Sequence, residues 1–122
     1  MSSLFGPLLK EIREKNKKTQ TDIADIVGKT TMYISNIENG KNGPLKDKDL
    51  DQLLTALDAN EEERSKLKCA AIIESRKIPA EMATYFLEKP ESLELVIMLC
   101  TDNADEKSLS LIKTYYEKRI RR

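Results

Sequence analysis

The sequence predicts an all-α protein, and three observations carry that reading. Apolar residues recur at three- and four-residue spacing along most of the chain. Glycine and proline are scarce, with four of each in 122 residues. No stretch alternates apolar and polar residues as a half-buried strand does. A chain with 34% charged and 5% aromatic residues also suits a helical protein with a modest core. This length fits one domain, or one small domain with an appendage.

Taken in order, Leu8, Leu9 and Ile12 form an apolar stripe and predict a first helix over about Leu4–Lys15, closed by Asn16-Lys17-Lys18. Thr19 is a good N-cap for a second helix, with Asp22 as an acidic first-turn residue. Ile23, Ala24 and Val27 share one face of that helix, and Gly28 ends it as a left-handed C-cap. Thr30 caps a third helix over Thr31–Asn39, with Ile34 and Ile37 facing inward and Asn39-Gly40 as its stop. Lys41–Pro44 reads as a loop. Asp47 or Asp49 opens a fourth helix carrying Leu50, Leu53, Leu54 and Leu57. Asn60 opens a fifth carrying Leu67, Ala70, Ala71 and Ile72. Pro79 and Pro90 are placed as first residues of two further helices, the first over Pro79–Leu87. Leu93–Cys100 is apolar nearly all round. A last helix runs from about Asp105 to Arg119, with Leu109, Ile112, Tyr116 and Ile120 on one stripe.

Composition excludes several functions. There is no histidine, which removes the commonest general base and metal ligand. Cys69 and Cys100 lie far apart in apolar surroundings and read as buried, reduced thiols. The chain therefore predicts no metal site, no cofactor and no enzyme. No 18-residue apolar run spans a membrane, and the N-terminus lacks a signal peptide's features, so the expected location is cytoplasmic. Formal net charge is zero but unevenly spread. Residues Met1–Lys48 hold 9 Lys/Arg against 6 Asp/Glu, and Asp49–Arg122 hold 12 against 15. The excess of +3 permits an anionic partner at the N-terminal end.

The segment VGKTTMYISNIENG admits two readings. Its "GKT" ends a phosphate-binding P-loop in some proteins. That loop needs GxxxxGK[ST] after a strand, and Ile23 stands where its first glycine must be. The alternative is two short helices crossing at a steep angle over a tight turn. Counted from Gln20, the fifth residue must be small and is Ala24, and the ninth must accept a left-handed turn and is Gly28. The fourth, eighth, fifteenth and eighteenth must be apolar and are Ile23, Val27, Ile34 and Ile37. Six agreements at fixed spacing favour this second reading.

Leu4 to Ala59 resembles the helix-turn-helix domain of the phage-repressor and Cro-like (XRE) family, above all in Tyr33-Ile34-Ser35-Asn36 followed by Ile37-Glu38-Asn39-Gly40-Lys41. The resemblance implies a five-helix, lambda-repressor-like DNA-binding domain, set here at residues 1–74. The remaining region, 79–122, is expected to be a small helical dimerisation region. Lys29 departs from the family, which usually has an apolar residue after the turn glycine. The loop Asn42–Lys48 also looks longer than the family's link.

If the third helix lies in the major groove, its outward residues Thr31, Met32, Ser35 and Asn36 are the expected base contacts. The amide of Asn36 can bridge adenine N6 and N7, and Thr31 and Met32 can meet thymine methyls. Expected phosphate contacts are Gln20, Lys29, Thr30, Tyr33, Asn39 and Lys41. For Gln20 the resemblance implies a second role, steadying the third helix. Lys17 and Lys18 either extend the basic edge or are merely solvated. The resemblance also implies a structural ion pair between Arg13 and Glu38.

One reading helix discriminates weakly, so a twofold dimer is expected. Phe86, Leu93, Val96, Ile97, Leu99, Ile112 and Tyr116 are the expected dimerisation residues, because the C-terminal apolar material exceeds what three short helices can bury. The terminal KRIRR reads as a nucleic-acid contact or as a complement to a helix dipole. The functional expectation is a repressor, binding double-stranded DNA as a homodimer at an inverted repeat. The alternative is an antitoxin or an adaptor whose C-terminal half binds another protein.

Overall fold

The structure, a computed structural model, describes residues 4–121. Residues 1–3 and Arg122, the last of the terminal basic run, lie outside it. The described residues are all helical: α1 (Phe5–Lys15), α2 (Gln20–Val27), α3 (Thr31–Glu38), α4 (Asp47–Ala56), α5 (Glu61–Ser75), α6 (Ala80–Glu88), α7 (Pro90–Thr101) and α8 (Glu106–Tyr115), with a π-helical turn over Tyr116–Ile120. They divide into two compact units, one ending at Pro79 and the next beginning at Ala80.

The first unit holds α1–α5 and the whole buried apolar core, which runs from Phe5 to Ala71. Helix α2 packs on both α3 and α4, and α1 packs on α3 and α5. Ile23, Ile34, Ile37, Leu53, Leu54, Leu57 and Leu67 are fully buried at the centre. Removing an apolar side chain of this size from water is worth about 1.5–3 kcal/mol, so this cluster is the main force holding α3 down. Leu45 adds to it from the link before α4, so the segment read as a loop also fills the core.

Local signals set the ends of these helices. Thr19 and Asp22 form a reciprocal capping box: the Thr19 hydroxyl accepts from the Asp22 amide and the Asp22 carboxylate accepts from the Thr19 amide, both at 3.0 Å. That cap holds the Asp22 carboxyl below its usual range, chiefly through the Thr19 backbone hydrogen bond. Asn60 and Glu63 cap α5 in the same way. Helix α5 ends at Arg76, whose φ of 56° is left-handed.

Among the described residues, Glu63 is one of two buried charged ones. It receives Lys15 Nζ at 3.0 Å and Asn16 Nδ2 at 3.4 Å, while Asn16 also donates to the Leu57 carbonyl at 2.8 Å. These bonds tie the end of α1 to the α4–α5 turn. They hold the Glu63 carboxyl below its usual range, with the Asn60 backbone amide as the largest cause.

Three expectations need correction. Cys69 and Cys100 are free and exposed, not buried. Cys69 points away from the α5 face that buries Leu67, Ala70 and Ala71, and α7, which carries Cys100, has no buried residue. The sixth helix starts at Ala80, with Pro79 just before it. The last helix is not continuous: α-helical hydrogen bonding stops at Tyr115 and a π-helical turn follows.

In the second unit α6 packs on α7. None of its helices has a buried residue. Pro90 takes the first position of α7, and Asp105 caps α8 by accepting from the Ser108 amide at 2.8 Å. No described helix is long and apolar enough to cross a membrane.

Candidate nucleic-acid interface

The α2–turn–α3 unit begins from two caps and one glycine. Gly28 adopts φ 70° and ψ 33° after α2. A Cβ there would meet nothing within 4 Å, so the demand for glycine is one of backbone conformation, not of space. Thr30 is extended at φ −89° and ψ 156°, and its hydroxyl accepts from the Tyr33 amide at 3.0 Å to open α3. The chain therefore reverses in three residues, and α3 starts clear of α2.

The underside of α3 is held in two ways. Ile34 and Ile37 are in the core, and Glu38 is buried beside them with its side chain 2% exposed. Arg13 grips this carboxylate with two bonds, Nε to Oε2 at 2.6 Å and Nη2 to Oε1 at 3.0 Å. Its remaining nitrogen, Nη1, donates to the Lys18 carbonyl at 2.9 Å. Gln20 Nε2 donates to Glu38 Oε1 at 3.0 Å. One carboxylate on α3 thus joins α1 to the first residue of α2, and Arg13 extends the link to the α1–α2 turn. The bond to Glu38 is the main cause holding the Arg13 guanidinium above its ordinary value. Gln20, expected at a phosphate, has its amide group on Glu38.

Helix α1 approaches the end of α3 closely. A Cβ on Gly6 would run into the carbonyl oxygens of Ile37 and Glu38, the latter at 2.7 Å. Backbone has no way to swing aside as a side-chain tip does, so this position admits only glycine at the present spacing.

The other side of α3 faces solvent. Met32 is 68% exposed. Thr31 is exposed and its hydroxyl lies 3.2 Å from that of Thr21 on α2. Ser35 and Asn36 are half-buried at the edge of the same face. Ser35 accepts from Asn39 Nδ2 at 3.4 Å. The Asn36 carbonyl receives the amides of Lys41 and Asn42 at 2.8 and 3.2 Å, folding Asn39 and Lys41 against the end of α3 while both stay exposed.

Lys29 and Tyr33 are coupled to each other. The Lys29 ammonium lies 5.4 Å from the centre of the Tyr33 ring and 3.8 Å from Asp49 Oδ2 on α4. Tyr33 itself rests partly buried against the core. The charge that stands after the turn glycine is thus tethered within the domain. Lys18 likewise pairs with Asp58 at 2.9 Å. The sequence reading did not single out Thr21, Asp58 or Gly6, and it read Asp49 only as a candidate helix start. Asp49, Asp58 and the end of α3, which meet Lys29, Lys18 and Gly6, are remote in sequence, and nothing local marks them.

Two short helices, a left-handed glycine turn between them, a buried underside and a polar outer face define a helix-turn-helix unit. The helix-turn-helix domain family matches residues 4–67, and the chain belongs to that family. No curated protein and no solved structure matches the chain. Through its family the chain is a DNA-binding, regulatory type of protein, all helical, with that domain at its N-terminal end.

Proposed function

We propose that this protein represses transcription as a homodimer on an inverted-repeat operator. The observation that carries the reading is the division of α3 into a buried, cross-linked underside and an outer face of exposed Thr31 and Met32, edged by half-buried Ser35 and Asn36. A helix held on one side and bare on the other is what groove insertion requires. Asn36 is the proposed adenine reader, and Thr31 and Met32 the proposed contacts to thymine methyls. Thr30, Tyr33, Asn39 and Lys41 are proposed at the phosphates, with Lys41 supplying the untethered charge. Lys29 and Gln20 act first inside the protein and reach a phosphate only from those tethered positions.

The exposed apolar side chains of α6–α8, among them Leu93, Val96, Ile97, Ile112 and Tyr116, support the dimer, with Phe86 and Leu99 half-buried beside them. Two reading helices would then sit about 34 Å apart, one turn of DNA. In this reading residues 1–74 bind DNA, residues 79–122 assemble the dimer, and the protein works in the cytoplasm. A second reading, an antitoxin or adaptor that binds another protein, draws on the same exposed surface. It also draws on the charge of α2 to α3, where Gln20–Glu38 hold one lysine against three acidic residues.

Selection of bound fragments from a random DNA pool tests the proposal. The expected result is an enriched, twofold-symmetric site. Affinity for it should fall by about 0.9 log unit per log unit of salt for each phosphate contacted. A pool that shows no enrichment, with binding absent at low salt, gives the function to the adaptor reading.

A further inference from the structure

The second unit lacks what a folded unit needs. Its three helices and terminal turn bury no residue among the described positions. Fourteen of its large apolar side chains are exposed. Helix α6 packs on α7, but α8 runs on into the π-helical turn and makes no comparable contact with either. Helix α7 is apolar on every side from Leu93 to Leu99 save Glu94, so the face it turns to α6 leaves others uncovered.

Charge divides along the same line. From Ala80 to Thr101 there are four glutamates against one lysine, a net −3. From Glu106 to Arg121 there are five Lys/Arg against two glutamates, a net +3. The hairpin that lacks a covering helix is acidic, and the helix that lacks a hairpin is basic.

We infer that a second copy of this chain completes the unit, with α8 and the π-helical turn of each copy laid across the α6–α7 hairpin of the other. The inference rests on the homodimer reading above and adds to it which surfaces meet. The occupant is a second copy because the chain itself carries both complementary halves. Two such contacts related by a twofold axis close the assembly and leave no free end. The area is sufficient. A large apolar side chain offers roughly 60–120 Å² to a partner. Half of that from fourteen such side chains is on the order of 400–800 Å². A standard interface takes about 800 Å² from each partner. The unit therefore gains its core on assembly, not before it.

The test is charge complementation between two full-length variants, followed by sedimentation equilibrium at low salt. One carries Glu88→Lys and Glu94→Lys on the hairpin, and the other Lys107→Glu and Lys113→Glu on α8. All four sites are exposed; Glu88→Lys at the end of α6 and Lys107→Glu at the start of α8 suit the helix dipole, whereas Lys113→Glu opposes it in the last turn of α8, a cost that the mixture and the four-fold variant share. Each variant alone should dimerise about tenfold or more weakly than the parent, since like charges then face each other in both contacts. An equimolar mixture should return to near-parental affinity as a heterodimer, because each acidic hairpin or helix again meets a basic one. A chain combining all four changes should recover as well. Recovery in the four-fold variant but not in the mixture would mean that α8 covers its own hairpin, which overturns this inference and leaves the dimer standing. A monomeric parent at tens of micromolar overturns both.

Discussion

Replacing Glu38 by alanine removes the acceptor on which three elements converge. Arg13, with a side chain only 11% exposed, would keep the Lys18 carbonyl as its acceptor and lose both carboxylate bonds. Gln20 would lose the partner of its amide. Breaking a buried pair from one side costs about 3–5 kcal/mol, because the surviving charge stays desolvated. For a unit of this size each kcal/mol moves the midpoint by about 4–8 °C. The expected loss in thermal denaturation is therefore roughly 12–40 °C. The control is Glu11→Ala on the exposed side of α1, expected within about 0.5 kcal/mol of the parent. A double change, Arg13→Met with Glu38→Met, should cost less than the sum of its single changes by about 1–3 kcal/mol, since neither charge is then stranded. Equal, small shifts for Glu38→Ala and Glu11→Ala, or an additive double change, would show that the core alone holds α3 and that the network contributes nothing.

Gly6→Ala poses a contest between two effects. Helix propensity alone favours alanine by about 1 kcal/mol. The Cβ overlap with the Ile37 and Glu38 carbonyls opposes it, and a net loss of about 1–3 kcal/mol is expected in urea denaturation. Glu63, like Asp22, contributes acid sensitivity to the first unit. Its folded carboxyl titrates below the ordinary glutamate value, so its stabilisation is complete above about pH 4.3 and fades as pH falls through the lowered value. The stability gap between the parent and Glu63→Gln should narrow over that acid range and stay constant at neutral pH. In DNA binding, Asn36→Ala should cost about 1–3 kcal/mol on the preferred site and relax its sequence. Lys41→Ala should instead weaken all sequences alike and flatten the salt slope by about one contact. An unchanged sequence preference after Asn36→Ala would move the reading face elsewhere on α3.

The helix-turn-helix unit is legible because its determinants are local. Thr19, Gly28 and Thr30 act within four residues of themselves, and the apolar spacing from Ile23 to Ile37 needs only helical geometry. What was hidden acts across the chain. Gly6 meets the end of α3 over thirty residues away, and Asn16 and Lys15 reach Glu63. Lys29 looked anomalous in sequence because the Asp49 carboxylate that receives it comes from α4, although the Tyr33 ring beside it is only four residues on. Cys69 misled for a related reason. An apolar neighbourhood in sequence is not a side of a helix, and Lys68-Cys69 sits on the outer one. The π-helical turn after Tyr115 has no signal in the apolar stripe, which runs on past it without a break.

The way α3 is anchored bears on how such a protein can diversify. Ile34, Ile37 and Glu38 hold the helix, and Thr31, Met32, Ser35 and Asn36 contribute nothing to the buried core. The positions that fix the fold and the positions that meet the outside world are interleaved in one eight-residue stretch but do not overlap. Changes at the outer four cost little folding free energy, so drift can sample them while the domain stays intact. If that face reads DNA as proposed, a lineage built on this helix can acquire new sequence targets by small steps, each one a working protein.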